Sequence, residues 1–422
     1  MTLHLPDVIA QIEDMAEELR RQSRESGQRL ERALGTLKQA DGPALAARLE
    51  DPGTKVTWLV PRLPQANQEP PSARHPAPPC PTSYTVVATD GSHIDVDRNM
   101  PASCHLINIG TVVLSYGEGT GAVLSSRPRL YTGADAVIAE PTGAGREEQV
   151  RGAVLAARRM VEEVAALAEA LEAAPAAVPT VGLLDGTLIL WGLEAAERDF
   201  VREALVREGI VAQLRRLEAL ARRRPLLAVA SYISYPGATE VASALRVAVC
   251  PHEPGPDCDR HCAVSRPATP ACRACAAAPQ GRRECDAVGG LADRQLFETL
   301  LEPGQRSALF ASRSKVVRQQ YEPAGQGVCF FYLRGADEIG RVELPQWAAQ
   351  DGPRLDLLHA VVLDQCRRGY GYPRALIEAH EQAVVSGADR EAFWRAVEGA
   401  LAERGLPRTT SGKSESKRTR WL

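Results

Sequence analysis

Two segments of the sequence each place an Asp-Gly pair after an apolar run. Residues 84–92 read YTVVATDGS and contain Asp90, and residues 181–188 read VGLLDGTL and contain Asp185. The β-branched and apolar residues predict a strand in each case, with the aspartate at the end of the strand. Paired carboxylates there can hold two divalent cations that promote hydrolysis of a phosphodiester. The simpler interpretation is that each Asp-Gly pair forms a tight turn after a strand.

A third carboxylate is expected from the helix predicted between these two strands. The helix contains AARRMVEEVAALAEAL, in which we take Glu163 as the third acid, with Glu162, Glu169 and Glu172 as other candidates. Any of these glutamates can instead be a solvated surface acid. We expect Glu163 to complete, with the two aspartates, a carboxylate set for Mn²⁺ or Mg²⁺, because these cations prefer oxygen ligands.

A histidine in the C-terminal part of the chain is the fourth candidate. His380 lies in GYPRALIEAHEQAVV, where Pro373 can occupy the first turn of a helix. Leu376, His380 and Ala383 share one face of that helix by their spacing. The histidine is therefore either a buried core residue or a catalytic residue, acting as a metal ligand or general acid near the carboxylates.

Six of the ten cysteines lie close together in the sequence. They are Cys250, Cys258, Cys262, Cys272, Cys275 and Cys285. The segment has almost no large apolar residues, so a bound metal could order it. The spacing of Cys258-x3-Cys262 and Cys272-x2-Cys275 predicts a structural Zn²⁺ site formed by four of the six thiols. A four-cysteine iron–sulfur cluster and a loop with unliganded thiols are the alternatives.

Composition indicates a globular protein of one large domain or two domains. The 422 residues are 44% hydrophobic and 24% charged, with a net charge of −3, so a nucleic acid would have to be held by local basic groups or metal ions. Lys413, Lys417 and Arg418 in the basic tail can contact DNA phosphates, or can form a solubilising tail. The N-terminus lacks the pattern of a signal peptide, and no apolar run approaches the ~20 residues of a membrane span. We expect a cytoplasmic protein without a membrane contact.

The order of elements predicts an α/β fold with a ribonuclease-H-like mixed sheet. After a helical region at 1–60 and a proline-rich linker at 61–83, the predicted elements are strands 84–90, 105–116 and 127–132, helix 146–173, strand 181–188, helix 192–222, strand 226–233 and helix 237–248. This is the order βββαβαβ, in which a right-handed crossover places strand 181–188 parallel to strand 84–90. Asp90 and Asp185 should then be neighbours at one edge of the sheet.

The remaining boundaries follow from composition. The predicted regions are a core at 84–249, a cysteine-rich metal-binding insertion at 250–286, the second part of the core at 287–408 and the basic tail at 409–422. Three C-terminal helices are expected near 353–368, 373–386 and 389–404.

Five motifs resemble, in order, those of the NurA nuclease family. They are VVATDGS, LLDGTL, YISYPGATEVASALR, GYPRALIEAHEQAVV and SGKSESKR. The resemblance implies a ribonuclease-H-like, Mn²⁺-dependent 5′-to-3′ DNA exonuclease with single-strand endonuclease activity. It also implies a homodimer that works with the hexameric HerA ATPase in DNA end resection.

At matching positions the resemblance implies that Asp90, Glu163, Asp185 and His380 form the active site. The cysteine-rich segment is not part of the resemblance. Two other functions remain open from the residues: an actin-like ATPase or sugar kinase, which also uses Asp-Gly turns, and an inactive DNA-binding adaptor subunit of a translocase.

Overall fold

The computed structural model describes residues 5–63, 69–97, 102–141, 143, 145–193, 198–262 and 283–406. Two of the cysteines predicted to bind zinc, Cys272 and Cys275, lie outside these residues. The same holds for the three tail residues predicted to contact DNA, Lys413, Lys417 and Arg418.

Helices and strands alternate along most of the chain. The helices are α1 (Leu5–Gln39), α2 (Gly42–Glu50), α3 (Ala153–Ala173), α4 (Asp199–Arg202), α5 (Ala212–Arg223), α6 (Glu240–Ala248), α7 (Cys258–His261), α8 (Asp293–Leu300), α9 (Gln346–Ala349), α10 (Gly352–Arg368), α11 (Arg374–Ala383) and α12 (Gly387–Glu403). The strands are β1 (Arg74–His75), β2 (Tyr84–Ile94), β3 (Cys104–Tyr116), β4 (Gly121–Thr132), β5 (Val137–Ala139), β6 (Glu147–Gln149), β7 (Thr180–Asp185), β8 (Leu227–Ser234), β9 (Arg306–Ser307), β10 (Phe310–Ala311), β11 (Val328–Arg334) and β12 (Ile339–Pro345).

Shorter helical segments complete the elements. Residues Glu203–Val211 and Val317–Tyr321 form π-helical turns, and Gly133–Ala136, Glu284–Val288 and Glu322–Ala324 form 3₁₀ turns. Within the described ranges, no helix combines the length and the apolar character that crossing a membrane would require.

The chain forms two compact units, each built from segments that are separate in the sequence. The first unit contains Met1–Ala77, Ser234–Ser314 and Cys329–Arg341. The second unit contains Pro78–Ile233, Lys315–Val328 and Val342–Leu422.

The second unit is built on a mixed sheet in the order β8-β7-β2-β3-β4. Strands β2, β3 and β4 form an antiparallel meander, and β7 lies parallel both to β2 and to β8. These pairings confirm the predicted meander and the predicted parallel crossover. Helix α3 packs on β2, β3 and β7, and its buried residues Val164, Leu167 and Leu171 join Val87 and Leu184 of the sheet in one apolar core.

The structure corrects the predicted end of the first strand. Strand β2 does not stop at Asp90 but continues to Ile94, and Asp90 and Gly91 stay paired with Gly110 and Ile109 of β3. The Asp90-Gly91 pair is therefore part of a continuous ladder. Only the second Asp-Gly pair is a turn: β7 ends at Asp185, and Gly186 has φ +82, a conformation that favours glycine.

Three predicted helices also differ from the structure. Helix α3 begins at Ala153 rather than 146, because Glu147–Gln149 pairs with Val137–Ala139 as a small hairpin. The predicted helix 192–222 begins at Asp199 and contains a π-helical stretch. The N-terminal helix divides in two because Asp41 caps a second helix, accepting a hydrogen bond of 3.0 Å from the backbone N–H of Ala44.

The first unit has its own core and a smaller set of strands. Strands β1, β9 and β11 pair in that order, and β10 pairs with β11. Its apolar core joins α1, α2, α6 and α8 to these strands and includes Leu37, Leu245, Phe297, Phe310 and Phe330. Strand β12 has residues in both units.

Candidate active site

The two aspartates reach the same point of the second unit through strand register. Thr89 of β2 is paired with Leu184 of β7, and Asp90 and Asp185 are the next residue of each strand. Asp90 is only 7% exposed, whereas Asp185 remains accessible where its strand ends. The pKa of Asp185 is raised because the surrounding protein removes part of its hydration and because Asp90 adds a second negative charge.

Glu163 of α3 is the glutamate that the fold brings to this pair. Its carboxylate is buried at 5% exposure and forms an ion pair with Arg159, one helical turn earlier. Arg159 also donates a 2.6 Å hydrogen bond to the carbonyl oxygen of Gly91. Burial raises the pKa of Glu163 to about 8; Asp90 and Asp185 raise it as well, and Arg159 opposes this shift. Three carboxylates therefore converge, with one guanidinium as a counter-charge.

The other glutamates of α3 have different partners. Glu162 accepts a 2.6 Å hydrogen bond from the hydroxyl of Tyr131, Glu169 pairs with Arg127 at 3.1 Å, and Glu172 pairs with Arg216 at 2.7 Å. None of these three contacts involves the aspartates, so the structure distinguishes Glu163 from the neighbours that sequence spacing left as candidates.

His380 of α11 contacts Asp90 directly. Its Nδ1 lies 2.9 Å from Oδ2 of Asp90, and its side chain is 59% exposed. The ladder-bound aspartate thus orients a ring that is open to solvent, while Leu376, Ala379 and Ala383 are the buried residues of the same helix. The interpretation of His380 as a core histidine is therefore wrong.

The C-terminal end of helix α11 is hydrogen-bonded to strands β2 and β3 of the meander. The side-chain amide of Asn108 donates a 2.9 Å hydrogen bond to the carbonyl oxygen of Ala383, and the hydroxyl of Ser92 donates to the same oxygen. The helix also passes so close to Gly110 that a Cβ atom there would overlap the backbone at Ala379 and lie 2.6 Å from the Ala383 nitrogen. Strands β2 and β3 therefore set the position of His380.

Tyr372 is a site residue that the sequence did not reveal. Its hydroxyl donates a 2.6 Å hydrogen bond to Oδ1 of Asp185, and its ring packs edge-on against Tyr232 of β8 at 5.5 Å. Burial and the nearby Asp185 carboxylate raise its pKa well above the usual value, so the hydroxyl stays protonated and can donate. The sequence signal for Tyr372 is its position: it directly precedes Pro373, in the same motif as His380.

Comparison with known proteins places this arrangement in a family. The NurA domain family model matches residues 84–385, which is more than half of the chain and contains every residue of the candidate site. The chain belongs to the NurA domain family. The search of curated proteins found no match.

Solved structures give further similarities. The chain is similar to the NurA nuclease from Sulfolobus solfataricus, with 11% identity, a TM-score of 0.46, and coverage of 96% of this chain and 98% of that one. It is also similar to a NurA structure with dAMP and manganese, at 13% identity, 78% and 90% coverage and a TM-score of 0.35. A NurA structure with manganese aligns at 12% identity, 78% and 91% coverage and a TM-score of 0.33.

The donor set of this NurA-domain site suits a hard divalent cation. Three carboxylates lie near one another, and the pKa of Glu163 is raised first by burial and then by the charges of Asp90 and Asp185, which a bound cation would offset. Among the residues that the structure describes, no three His, Cys, Asp or Glu side chains are already arranged to hold a metal ion. Arg159 and His380 instead partner Glu163 and Asp90. The residues fit a metal by their chemistry, and binding would require these side chains to rearrange.

The four described cysteines of the cysteine-rich segment, Cys250, Cys258, Cys262 and Cys285, belong to the first unit, whereas the carboxylate site belongs to the second. The candidate site thus consists of Asp90, Glu163, Asp185, His380 and Tyr372.

Proposed function

We propose that the protein is a metal-dependent DNA nuclease of the NurA type, which hydrolyses phosphodiester bonds with Mn²⁺ or Mg²⁺. The observation that carries the proposal is the convergence of Asp90 and Asp185 at the end of the β2–β7 ladder, with buried Glu163 beside them. These three carboxylates would hold the metal ions. When bound, such ions supply positive charge that stabilises a phosphodiester as negative charge develops on it.

The residues around the carboxylates have separate tasks in this proposal. Asp90 orients the imidazole of His380, whose exposed side chain can present its other ring nitrogen to the substrate and transfer a proton there. Tyr372 fixes the rotamer of Asp185 through its hydroxyl. Arg159 holds the Glu163 carboxylate and the Gly91 carbonyl together.

The more specific parts of the proposal rest on the family. We expect a ribonuclease-H-like core, supported by the antiparallel meander followed by parallel β7 and β8. We also expect 5′-to-3′ exonuclease activity on single- and double-stranded DNA, endonuclease activity on single strands, a homodimer, and a HerA-type hexameric ATPase as partner in processing DNA ends in the cytoplasm. These expectations come from the resemblance of the motifs.

The test is digestion of end-labelled linear DNA by the full-length protein with Mn²⁺. Asp90→Asn and Asp185→Asn should each lower the rate more than about 100-fold, since loss of outer-shell partners alone costs 10- to 100-fold. Asp356→Asn, an exposed position on α10, is the matched control and should keep the wild-type rate. Asp185→Asn should unfold at or above the wild-type temperature, because it removes a charge beside Asp90, whereas Asp90→Asn should stay folded although it weakens the pair with His380.

Each rival function has its own outcome in this experiment. Full activity in either site variant would refute the assignment of the site. ATP turnover without DNA cleavage would favour an actin-like ATPase or kinase, and DNA binding without cleavage by the wild-type protein would favour an inactive adaptor.

A further inference from the structure

Helix α7 of the first unit places two cysteines one helical turn apart. Cys258 begins the helix and Cys262 follows its last residue, with the backbone N–H of Cys262 donating a 2.9 Å hydrogen bond to the Cys258 carbonyl. Asp257 caps the helix by accepting a 2.9 Å hydrogen bond from the Arg260 N–H. None of the residues of this short helix is buried.

Two arginines connect this turn to a third cysteine. Arg283 donates a 2.9 Å hydrogen bond to the carbonyl oxygen of Cys262, which brings the chain before Cys285 next to α7. The guanidinium of Arg246, on α6, lies 3.9 Å from the Cys285 sulfur. Cys285 thus lies between α6 and the Cys258–Cys262 turn.

Cys250 reaches the same place from the end of α6. Arg48 donates hydrogen bonds to the carbonyls of three alternate residues of this stretch, Ala248, Cys250 and His252, at 2.8 to 3.0 Å. The ring of His252 then stacks on that of His261 at 4.0 Å, which ties the stretch after Cys250 to α7.

These contacts bring the three stretches of sequence together. Arg283 links the Cys285 stretch to the Cys262 carbonyl, and the stacked rings of His252 and His261 link the Cys250 stretch to α7. Cys250, Cys258, Cys262 and Cys285 therefore belong to one connected cluster in the first unit.

Polar contacts hold the stretch that follows Val249, the last residue there that packs against the apolar core of the first unit. The segment is held by polar contacts, such as the 2.8 Å hydrogen bonds that join the Lys55 backbone to Pro256 and Cys258. Of the four cysteines only Cys285 is buried, and Cys250, Cys258 and Cys262 remain partly accessible. Partly accessible thiols gathered by polar contacts are typical of metal ligands rather than of core residues.

We propose that Cys250, Cys258, Cys262 and Cys285 bind one structural Zn²⁺ ion. Four sulfur ligands suit the tetrahedral coordination of zinc, and the ion would join residues 250–262 to the 3₁₀ turn that contains Cys285. Within the described part of the chain no three such side chains are arranged to hold a metal ion, so binding would require the four thiols to move closer together. Spacing also offered Cys272 and Cys275, which lie outside the described residues, and the experiment below distinguishes the two ligand sets.

The metal content of the full-length protein, purified and then treated with excess chelator, tests the ligand set. The wild type should retain about one zinc per chain. Each of the four Cys→Ser single variants should lose zinc at least about tenfold faster to the chelator. The matched control is the double variant Cys272→Ser/Cys275→Ser, which should retain zinc as the wild type does. Loss of zinc from this control, or its full retention in any of the four single variants, would overturn the assignment.

Because a cysteine variant could fail to fold, the wild-type protein provides a second measurement. Exchange of the bound ion for Co²⁺ should give the intense near-ultraviolet sulfur-to-cobalt charge-transfer bands and the visible bands of a tetrahedral four-thiolate site. A spectrum of an octahedral or sulfur-free site would contradict the proposal, as would iron and inorganic sulfide in the purified protein. Neither measurement depends on nuclease activity. The zinc proposal can therefore be refuted without affecting the proposed function, and the reverse is also true.

Discussion

Gly91 provides the sharpest test of how the carboxylate site is built. An added Cβ at this position would lie 2.5 Å from Oε1 of Glu163, 3.0 Å from Cδ1 of Ile109 and 3.1 Å from Cγ of Arg159. The nearest atom is the far end of a flexible side chain, so the carboxylate of Glu163 would move and the backbone would stay in place. Gly91→Ala should therefore displace a proposed metal ligand without unfolding the strand.

These distances set the expected losses of digestion rate and of stability in Gly91→Ala. Restoring a contact of at least 3.0 Å moves the Glu163 carboxylate by at least about 0.5 Å. Since a 1 Å misplacement can cost about 100-fold in rate, we expect a loss of about tenfold or more. The tight contacts with Ile109 and Arg159 cost about 1 kcal/mol, and the lower entropy of the unfolded alanine chain offsets part of this.

The assay measures the rate of DNA digestion as a function of Mn²⁺ concentration, together with thermal unfolding. Gly121→Ala in β4 is the control, because the nearest atom to its added Cβ is 3.9 Å away. A wild-type rate in Gly91→Ala at every Mn²⁺ concentration would refute the proposed position of Glu163. Destabilisation by more than about 3 kcal/mol, the upper range of overpacking, would show that Gly91 serves the fold instead.

Three further changes probe other parts of the molecule. Gly110→Ala should destabilise the protein by about 1–3 kcal/mol in denaturant unfolding and also slow digestion, because the new Cβ meets the backbone of α11 rather than a mobile side chain. Tyr372→Phe should raise the Mn²⁺ concentration needed for half-maximal digestion about tenfold, because Asp185 loses its 2.6 Å hydrogen bond. Glu240→Gln should cost about 3 kcal/mol in denaturant unfolding, because it breaks the buried 2.7 Å ion pair between Glu240 and Arg341.

Each of these changes has an outcome that would count against it. Tyr370→Phe, at a side chain that is 95% exposed, should keep the wild-type Mn²⁺ dependence, and an equal shift in both tyrosine variants would point to a general effect. An unchanged stability in Gly110→Ala would mean that α11 can lift from the sheet at little cost. An unchanged stability in Glu240→Gln would mean that Arg341 is solvated or repartnered.

The proximity of Asp90 and Asp185 could be predicted because it depends on strand order alone. A meander followed by a crossover helix leaves few places for the next strand, and the observed register Thr89 to Leu184 makes the two aspartates neighbours. What strand order cannot give is where each strand ends. The same dipeptide, Asp-Gly, is a turn after β7 and an uninterrupted part of the ladder in β2.

Contacts between distant segments were harder to predict. Tyr372 carries no pattern of its own, and its role depends on the tertiary contact with Asp185. The surroundings of the cysteines show the same limit, because Arg48 bonds to the Cys250 carbonyl, Arg246 lies beside the Cys285 sulfur and Arg283 bonds to the Cys262 carbonyl, all contacts between residues far apart in sequence. Such polar contacts leave no periodic signal.

The alternation of side chains along β2 explains how residues from two faces of the sheet meet at one site. Thr89 and Gly91 point toward α3, where the Thr89 hydroxyl donates a 3.0 Å hydrogen bond to the Glu163 carbonyl. Asp90 and Ser92 point toward α11, where they contact His380 and the end of the helix.

Helices α3 and α11 lie on opposite faces of the sheet, so residues of both can approach Asp90 only at a point where the sheet ends. That point is the end of the β2–β7 ladder at Thr89 and Leu184, directly before Asp90. β7 does not continue beside β2 past this point, and the chain turns at Gly186. Glu163 and His380, on helices at opposite faces of the sheet, therefore both approach Asp90 at this edge.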